Sequence, residues 1–217
     1  MPYKLSPSRI KVFLDCPRCF WLDVNKKMKR PGGPFPSLPS GMDKILKEHF
    51  DTHRDKKDTP DELRGKFEGH LFQDKEKMKV WTNNFRGLQW ADREGNILMG
   101  ALDDLFVAKG GIHVPLDFKT RGYPVKEDTH EHYQHQMDIY SFLLEKNGLK
   151  AGDFAILIFY HPIGVDKNHN VDFHAEVIKV PTDKKRALRH FQGALKCLKG
   201  PEPKPNPDCE WCGWGRK

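Results

Sequence analysis

The sequence predicts an α/β fold, with a central mixed sheet flanked by helices and the two ends of the chain joined through four cysteines. Three observations carry this reading. Apolar residues alternate along 112–119 and 171–177 and run unbroken along 154–160, which are strand patterns, whereas 42–50 and 187–198 carry them at helical spacing. The cysteines fall into two pairs at opposite ends of the chain, Cys16-Pro-Arg-Cys19 and Cys209-Glu-Trp-Cys212. No shift in composition divides the 217 residues, so a single domain over 1–217 is expected.

Composition narrows the function classes. The net charge of +7 comes from 37 Lys and Arg against 30 Asp and Glu, an excess that suits a polyanionic partner without requiring one. No apolar run approaches the ~20 residues of a bilayer crossing, and the start, Met1-Pro-Tyr-Lys, lacks the apolar core of a signal peptide. No membrane association and a cytoplasmic location are expected. In that compartment the five cysteines point to metal instead of disulfides.

Taken in order, Ser6-Pro7 is a helix start, with Ser6 as N-cap and Ile10, Val12, Phe13 and Leu14 as the apolar side; that helix delivers Cys16 at its end. Pro31 to Ser40 is rich in proline and glycine and reads as a loop. From Gly41 to His53, Met42, Ile45, Leu46, His49 and Phe50 form a helical stripe with His49 on the apolar side, and Thr59-Pro60-Asp61-Glu62 reads as another helix start. Leu88 to Ala91 reads as a strand that turns through 92–96 into a central hairpin.

The hairpin's first strand is read as Ile97 to Val107, its turn as Gly110-Gly111, and its second strand as Ile112 to Lys119. Period two puts Asp117 and Lys119 on one face and sets Asp103 beside Met99, Ala101, Leu105 and Val107, where a bare carboxylate is costly. A divalent cation, Mg²⁺ or Mn²⁺, answers that cost: Asp103, Asp117 and the Phe118 backbone carbonyl are hard oxygen ligands, and Lys119 would sit beside a metal-bound water. An Asp103–Lys119 salt bridge is the plain alternative.

After Lys119 a polar loop at 120–124 leads into a helix on which Gln136 and Tyr140, four apart, can face one ligand. Phe154 to Tyr160 reads as an interior strand and Val171 to Val177 as a strand with one wet face. Asp183 caps a helix through Leu198 whose buried stripe includes Ala187, Phe191 and Leu195, with Cys197 a small core residue. Gly200 to Pro207 reads as a stiff tether.

At Gly100-Ala-Leu-Asp103 followed by Asp117-Phe-Lys119, the chain resembles the PD-(D/E)XK nuclease superfamily, and within it the RecB-like branch that includes CRISPR-associated RecB-like exonucleases. The resemblance implies a restriction-endonuclease-like core, Asp103 and Asp117 as metal ligands and Lys119 as the catalytic lysine. It also implies a following helix with Gln-x-x-x-Tyr, and Gln136-Met-Asp-Ile-Tyr140 supplies it. The family's additional histidine ligand points to His49, but Gly41 lies eight residues before it where the family pattern has four, so a packed histidine stays open.

Each cysteine pair offers two thiolates, and neither completes a tetrahedral site alone, so Cys16, Cys19, Cys209 and Cys212 should meet. Ligand count admits Zn²⁺, a [2Fe-2S] or a [4Fe-4S] centre. The resemblance implies [4Fe-4S], though its usual division is one cysteine plus three and this chain has two plus two.

The expected function is a Mg²⁺- or Mn²⁺-dependent deoxyribonuclease, an exonuclease in DNA processing, repair or CRISPR-related defence, acting on DNA with a single-stranded segment or end. Two alternatives stand beside it: a catalytically silent nucleic-acid-binding module of the same fold, and a structural zinc protein whose acids form only salt bridges. The sequence names no protein partner.

Overall fold

The computed structural model describes residues 2–33 and 35–214, which leaves Met1 of the chain start, Pro34 of the proline-rich stretch and 215–217 outside the described residues. Chain order is β1 (Lys4–Leu5), α1 (Pro7–Asp15), α2 (Pro17–Lys26), α3 (Ser37–Lys56), β2 (Gly69–Leu71), α4 (Lys75–Trp81), β3 (Leu88–Ala91), β4 (Ile97–Gly100), β5 (Asp104–Ala108) and β6 (Ile112–Thr120). It continues through a 3₁₀ turn (Thr129–Tyr133), α5 (Gln134–Lys146), β7 (Phe154–Val165), β8 (Val171–Pro181), α6 (Lys184–Lys199) and α7 (Glu210–Trp214).

The described residues form two mixed sheets where the sequence suggests one. The larger has the order β2-β5-β6-β7-β8, and the smaller has β1-β4-β3. Residues 97–107 do not form one strand. The chain leaves the small sheet after Gly100, buries Leu102, and enters the large sheet at Asp104. Gly100 lets the chain pass close beneath α5, because a Cβ there would stand 2.8 Å from the Tyr140 ring. The hairpin proper is β5–β6, closed by Gly110 and Gly111 with φ of +77° and +71°.

β6 and β7 are parallel neighbours, a pairing that needs a crossover, and α5 is that crossover. Strand alternation sorts the core onto the two sheet faces. Val114, Leu116, Phe118, Ile156, Ile158 and Tyr160 pack with Leu46 and Phe50 of α3, while Leu105, Leu157 and Phe159 pack with α1, α5 and α6. Asp117 and Lys119 lie on the second face, directly under the crossover helix.

Three further local readings change. Ser37–Ser40 is helical, since α3 begins four residues before Gly41; Pro39 is tolerated in the first turn, where backbone N–H groups have no intrahelical acceptor. The buried stripe of α3 is Leu46, Phe50 and Arg54, while Ile45 is exposed. Thr59–Glu62 starts no helix, and 60–67 is held by turn hydrogen bonds such as Leu63 N–H to Pro60 O at 2.9 Å. The Ser6 and Asp183 caps form as read: Ser6 Oγ accepts from Arg9 N–H at 3.4 Å, and Asp183 Oδ1 accepts from Lys185 N–H at 2.8 Å. No helix among the described residues is long and apolar enough to cross a membrane.

Candidate active site and cysteine centre

β6 outruns β5. The β5–β6 ladder ends at Asp104 opposite Leu116, so at Phe118 the edge of β6 that faces away from β7 has no strand partner among the described residues, and the Asp103 carboxylate takes its place: Phe118 N–H donates to Asp103 Oδ2 at 3.1 Å. Because N–H and C=O of one strand residue point to the same edge, the Phe118 carbonyl also turns toward Asp103. Asp103 Oδ1 lies 3.2 Å from Lys47 Nζ on α3.

Asp117 is fully buried. Its Oδ1 accepts from Gln136 Nε2 at 3.1 Å, and its Oδ2 makes no hydrogen bond but carries an ion pair with Lys119. Gln136 Nε2 also donates to Tyr140 Oη at 2.8 Å, and Tyr140 O–H donates to the Ala101 carbonyl at 2.6 Å. The α5 crossover therefore ties Asp117 to the backbone just ahead of Asp103. Lys119 Nζ sits 4.9 Å from the centroid of the Tyr133 ring.

Burial pushes the Asp117 carboxyl up, and the adjacent charge of Asp103 pushes it further, against the pull of Lys119. Burial works to lower Lys119, but the charges of Asp117 and Asp103 outweigh it and raise its pKa, so the lysine is held as a cation. Tyr140 is raised well above the usual phenol range by burial and the same two acids. Two adjoining carboxylates, one of them buried with its Oδ2 met only by the Lys119 ammonium, and a carbonyl on the same edge form a hard-oxygen donor set that fits a divalent cation.

Asp103, Asp117, the Phe118 carbonyl, Lys119, Gln136 and Tyr140 are thus brought together. His49 is not brought to them; its Nε2 lies 3.3 Å from Glu62 Oε1, and its ring packs edge-on against Phe50 and His53. The acid that burial isolates is Asp104, and its counter-charge is an arginine: Arg54 Nη2 donates to both carboxylate oxygens at 2.6 and 2.8 Å. The alternative Asp103–Lys119 bridge is not formed, since Lys119 pairs with Asp117 and Lys47 with Asp103.

Two clefts open on this constellation. A cavity of about 920 Å³ is bordered by Ala101, Gln136 and Tyr140, and a smaller one of about 350 Å³ by Asp103, Lys47, Lys75 and Lys79. Sequence reasoning missed Lys47 and Arg54, both on α3. Their signal was the helical spacing of charged residues behind Leu46 and Phe50, which a search for apolar stripes passes over.

The two segments that carry the cysteine pairs also meet. Cys16 ends α1 and precedes the first turn of α2, which carries Cys19; Cys209 precedes α7, which carries Cys212. The four sulfurs all lie within 4.8 Å of one another, with Cys16–Cys212 at 3.7, Cys19–Cys209 at 3.6 and Cys19–Cys212 at 3.5 Å. Burial opposes ionisation of Cys16, but backbone N–H groups of Asn206 and Cys19 and the neighbouring thiols bring it down to about 6. The Arg30 guanidinium lies against Cys19, and Arg18, ion-paired with Glu202 at 2.6 Å, approaches Cys212. These arginines suit a centre with excess negative charge, as four thiolates on a divalent metal would be.

The tether 200–207 is fastened to α2 and to the end of α1. Trp21 Nε1 donates to Gly200 O at 3.0 Å, and Asn206 Nδ2 donates to Asp15 O at 2.9 Å. Cys197 stands apart from the centre, with its Sγ 3.7 Å from the Pro17 carbonyl.

The family model of the PD-(D/E)XK nuclease superfamily matches residues 4–216. No curated protein matches the chain. Among solved structures, the crystal structure of SSO0001 aligns over 99% of this chain and 85% of that chain at 16% sequence identity, with a TM-score of 0.45.

Proposed function

Because the chain belongs to the PD-(D/E)XK nuclease superfamily, we propose that it is a divalent-metal-dependent deoxyribonuclease that hydrolyses phosphodiester bonds at Asp103, Asp117 and Lys119. The observation that carries the reading is the meeting of Asp103 and Asp117 around one buried carboxylate edge, with Lys119 held as a cation beside them.

Asp103, Asp117 and the Phe118 carbonyl would hold Mg²⁺ or Mn²⁺. Bound there, the ion supplies Lewis acidity toward a phosphate oxygen and acidifies an attacking water. Lys119 places positive charge where a pentacoordinate phosphate gains negative charge, and its raised pKa supports this electrostatic role. Gln136 fixes the orientation of Asp117, and Tyr140 fixes Gln136, so the acid presents one constant face. The expected products carry a 5′-phosphate and a 3′-hydroxyl. An exonuclease role in DNA processing, repair or CRISPR-related defence is the reading the sequence resemblance favours, with residues 1–217 acting as one domain.

The cysteine centre is proposed to hold one zinc ion. Thiolates ~2.3 Å from a tetrahedral zinc stand about 3.8 Å apart; three of the six sulfur pairs here stand 3.5 to 3.7 Å apart, and all four sulfurs lie within 4.8 Å of one another. An iron–sulfur core would occupy the middle of the site and spread its ligands further. The spacing therefore supports zinc over the [4Fe-4S] centre implied by the resemblance and over [2Fe-2S]. Anaerobically purified protein should be colourless and contain one equivalent of zinc; a brown preparation with stoichiometric iron would overturn this assignment.

The nuclease reading is tested by incubating the protein with end-labelled linear and circular DNA in Mg²⁺, Mn²⁺ or EDTA. Fragments that require the metal and carry 5′-phosphates support it, and intact DNA under all conditions contradicts it.

A further inference from the structure

Every oxygen of the acid pair already faces a donor. Asp103 Oδ2 accepts from the Phe118 N–H, and Asp103 Oδ1 stands 3.2 Å from the Lys47 ammonium. Asp117 Oδ1 accepts from Gln136, and Asp117 Oδ2 is met by Lys119. Two of these four donors are neutral amides held in place by a strand and a helix. The other two are cations, which repel a divalent ion and compete with it for the same oxygens.

The two lysines differ in what else they hold. Among the described residues Lys119 has one acidic partner within salt-bridge distance, Asp117, and its side chain is 18% exposed. Lys47 has two: besides Asp103, its Nζ lies 2.8 Å from Oδ2 of Asp43, one helical turn earlier on α3. Lys47 is 30% exposed and lines the smaller cleft, so its flexible stem can move without opening the core. Asp43 does not itself complete a three-acid site. Among the described residues, the four cysteines are the one set of three or more His, Cys, Asp or Glu side chains whose ligand atoms all lie within 4.8 Å of one another. Lys47 is therefore shared between an acid of the site and an acid beside it.

We propose that Lys47 is the resident counter-cation of Asp103, displaced when the acid pair takes up a divalent metal, and that Asp43 receives its ammonium. The proposal rests on the metal-dependent nuclease reading and adds two positioning residues to it. While the site is empty, Lys47 offsets the charge that Asp103 would otherwise hold against Asp117. On loading, Asp103 Oδ1 exchanges one cation for another, and the ammonium stays paired because Asp43 is already within hydrogen-bond distance. Lys47 thus holds metal affinity down, and Asp43 eases its departure.

The test is a Mn²⁺ titration of the full chain without DNA, read from the electron paramagnetic resonance signal of free Mn²⁺, with Asp117→Asn as the background from sites other than the acid pair. Lys47→Met should bind Mn²⁺ about 10-fold more tightly than wild type, the size of a one-unit shift from a neighbouring charge. Lys47→Arg keeps the charge and should bind close to wild type. Asp43→Asn should weaken binding, whereas Asp43→Asn/Lys47→Met should match Lys47→Met, because Asp43 acts through the lysine. Both side chains are partly exposed, and melting in EDTA checks that each variant is folded. Equal or weaker Mn²⁺ binding by folded Lys47→Met would overturn the proposal. A double variant that binds as weakly as Asp43→Asn would make Asp43 a direct ligand and overturn its role as receiver. Failure of the nuclease reading looks different: wild-type Mn²⁺ binding that Asp117→Asn does not reduce takes the metal away from the acid pair, and this proposal with it.

Discussion

Gln136 Nε2 lies 3.1 Å from Asp117 Oδ1 and is the hydrogen-bond donor to a carboxylate fully closed off from solvent. The same nitrogen bonds Tyr140, and Tyr140 bonds the Ala101 carbonyl, so the helix holds the acid through a chain of three hydrogen bonds. Gln136→Ala removes an orienting bond and leaves the donor set for the cation intact. Turnover should fall about 3- to 10-fold with little change in metal requirement. Initial rates on labelled DNA across a Mn²⁺ titration check this, and full activity would remove Gln136 from the site.

The Arg54–Asp104 pair is nearly closed to solvent, with both side chains 2% exposed. Arg54→Met leaves a buried carboxylate without its counter-charge and should cost about 3–5 kcal/mol, or on the order of 10 °C in Tm. Arg54→Met/Asp104→Leu should recover most of that loss, because no charge is then left unpaired. Thermal melts of the single and double variants make the comparison.

The cysteine centre closes a loop that includes nearly the whole chain, so metal binding there is linked to folding. Cys209→Ser should lower Tm and metal content together, and open 200–207 to proteases as the contacts of Trp21 and Asn206 loosen. Limited proteolysis with mass mapping would detect it. Unchanged melting and unchanged metal content would remove the clasp.

His135 supplies a pH dependence. Burial, helped by the charges of Lys11 and His190, lowers its pKa to about 4 in the folded protein. The unfolded chain takes up this proton near its ordinary value of about 6.5. Below that pH the unfolded state binds more protons, so stability falls as pH drops from about 6.5 toward 4. His135→Gln should flatten the Tm profile over that window, and an equally steep profile in this variant would assign the acid sensitivity elsewhere.

Much of this arrangement was legible in the sequence because it depends on short-range rules. Asp117 and Lys119 share a face by strand period, Gln136 and Tyr140 share one by helical spacing, and Ser6 and Asp183 cap helices by side-chain chemistry. What escaped depends on contacts between distant segments. Alternation along 97–107 assigns Asp103 to the core, but the break after Gly100 gives the buried position to Asp104 and its Arg54 partner. Gly100, where the break begins, stands against the Tyr140 ring, a neighbour 40 residues away that no local pattern encodes. Lys47 was hidden similarly, as its meaning comes only from Asp103 across the fold. Ser37–Ser40 reads as loop because proline breaks a helix interior, yet the first turn of a helix accepts it.

The central claim is that Asp117 holds the catalytic metal, and metal-dependent cleavage of end-labelled DNA by highly purified wild type and Asp117→Asn tests it most directly. Asn keeps the shape of the side chain and the Gln136 contact while removing the charge, so melting should confirm a folded variant. The account predicts robust cleavage by wild type in Mn²⁺ and none above background by Asp117→Asn at any metal concentration. Cleavage by folded Asp117→Asn at a rate near that of wild type would contradict it.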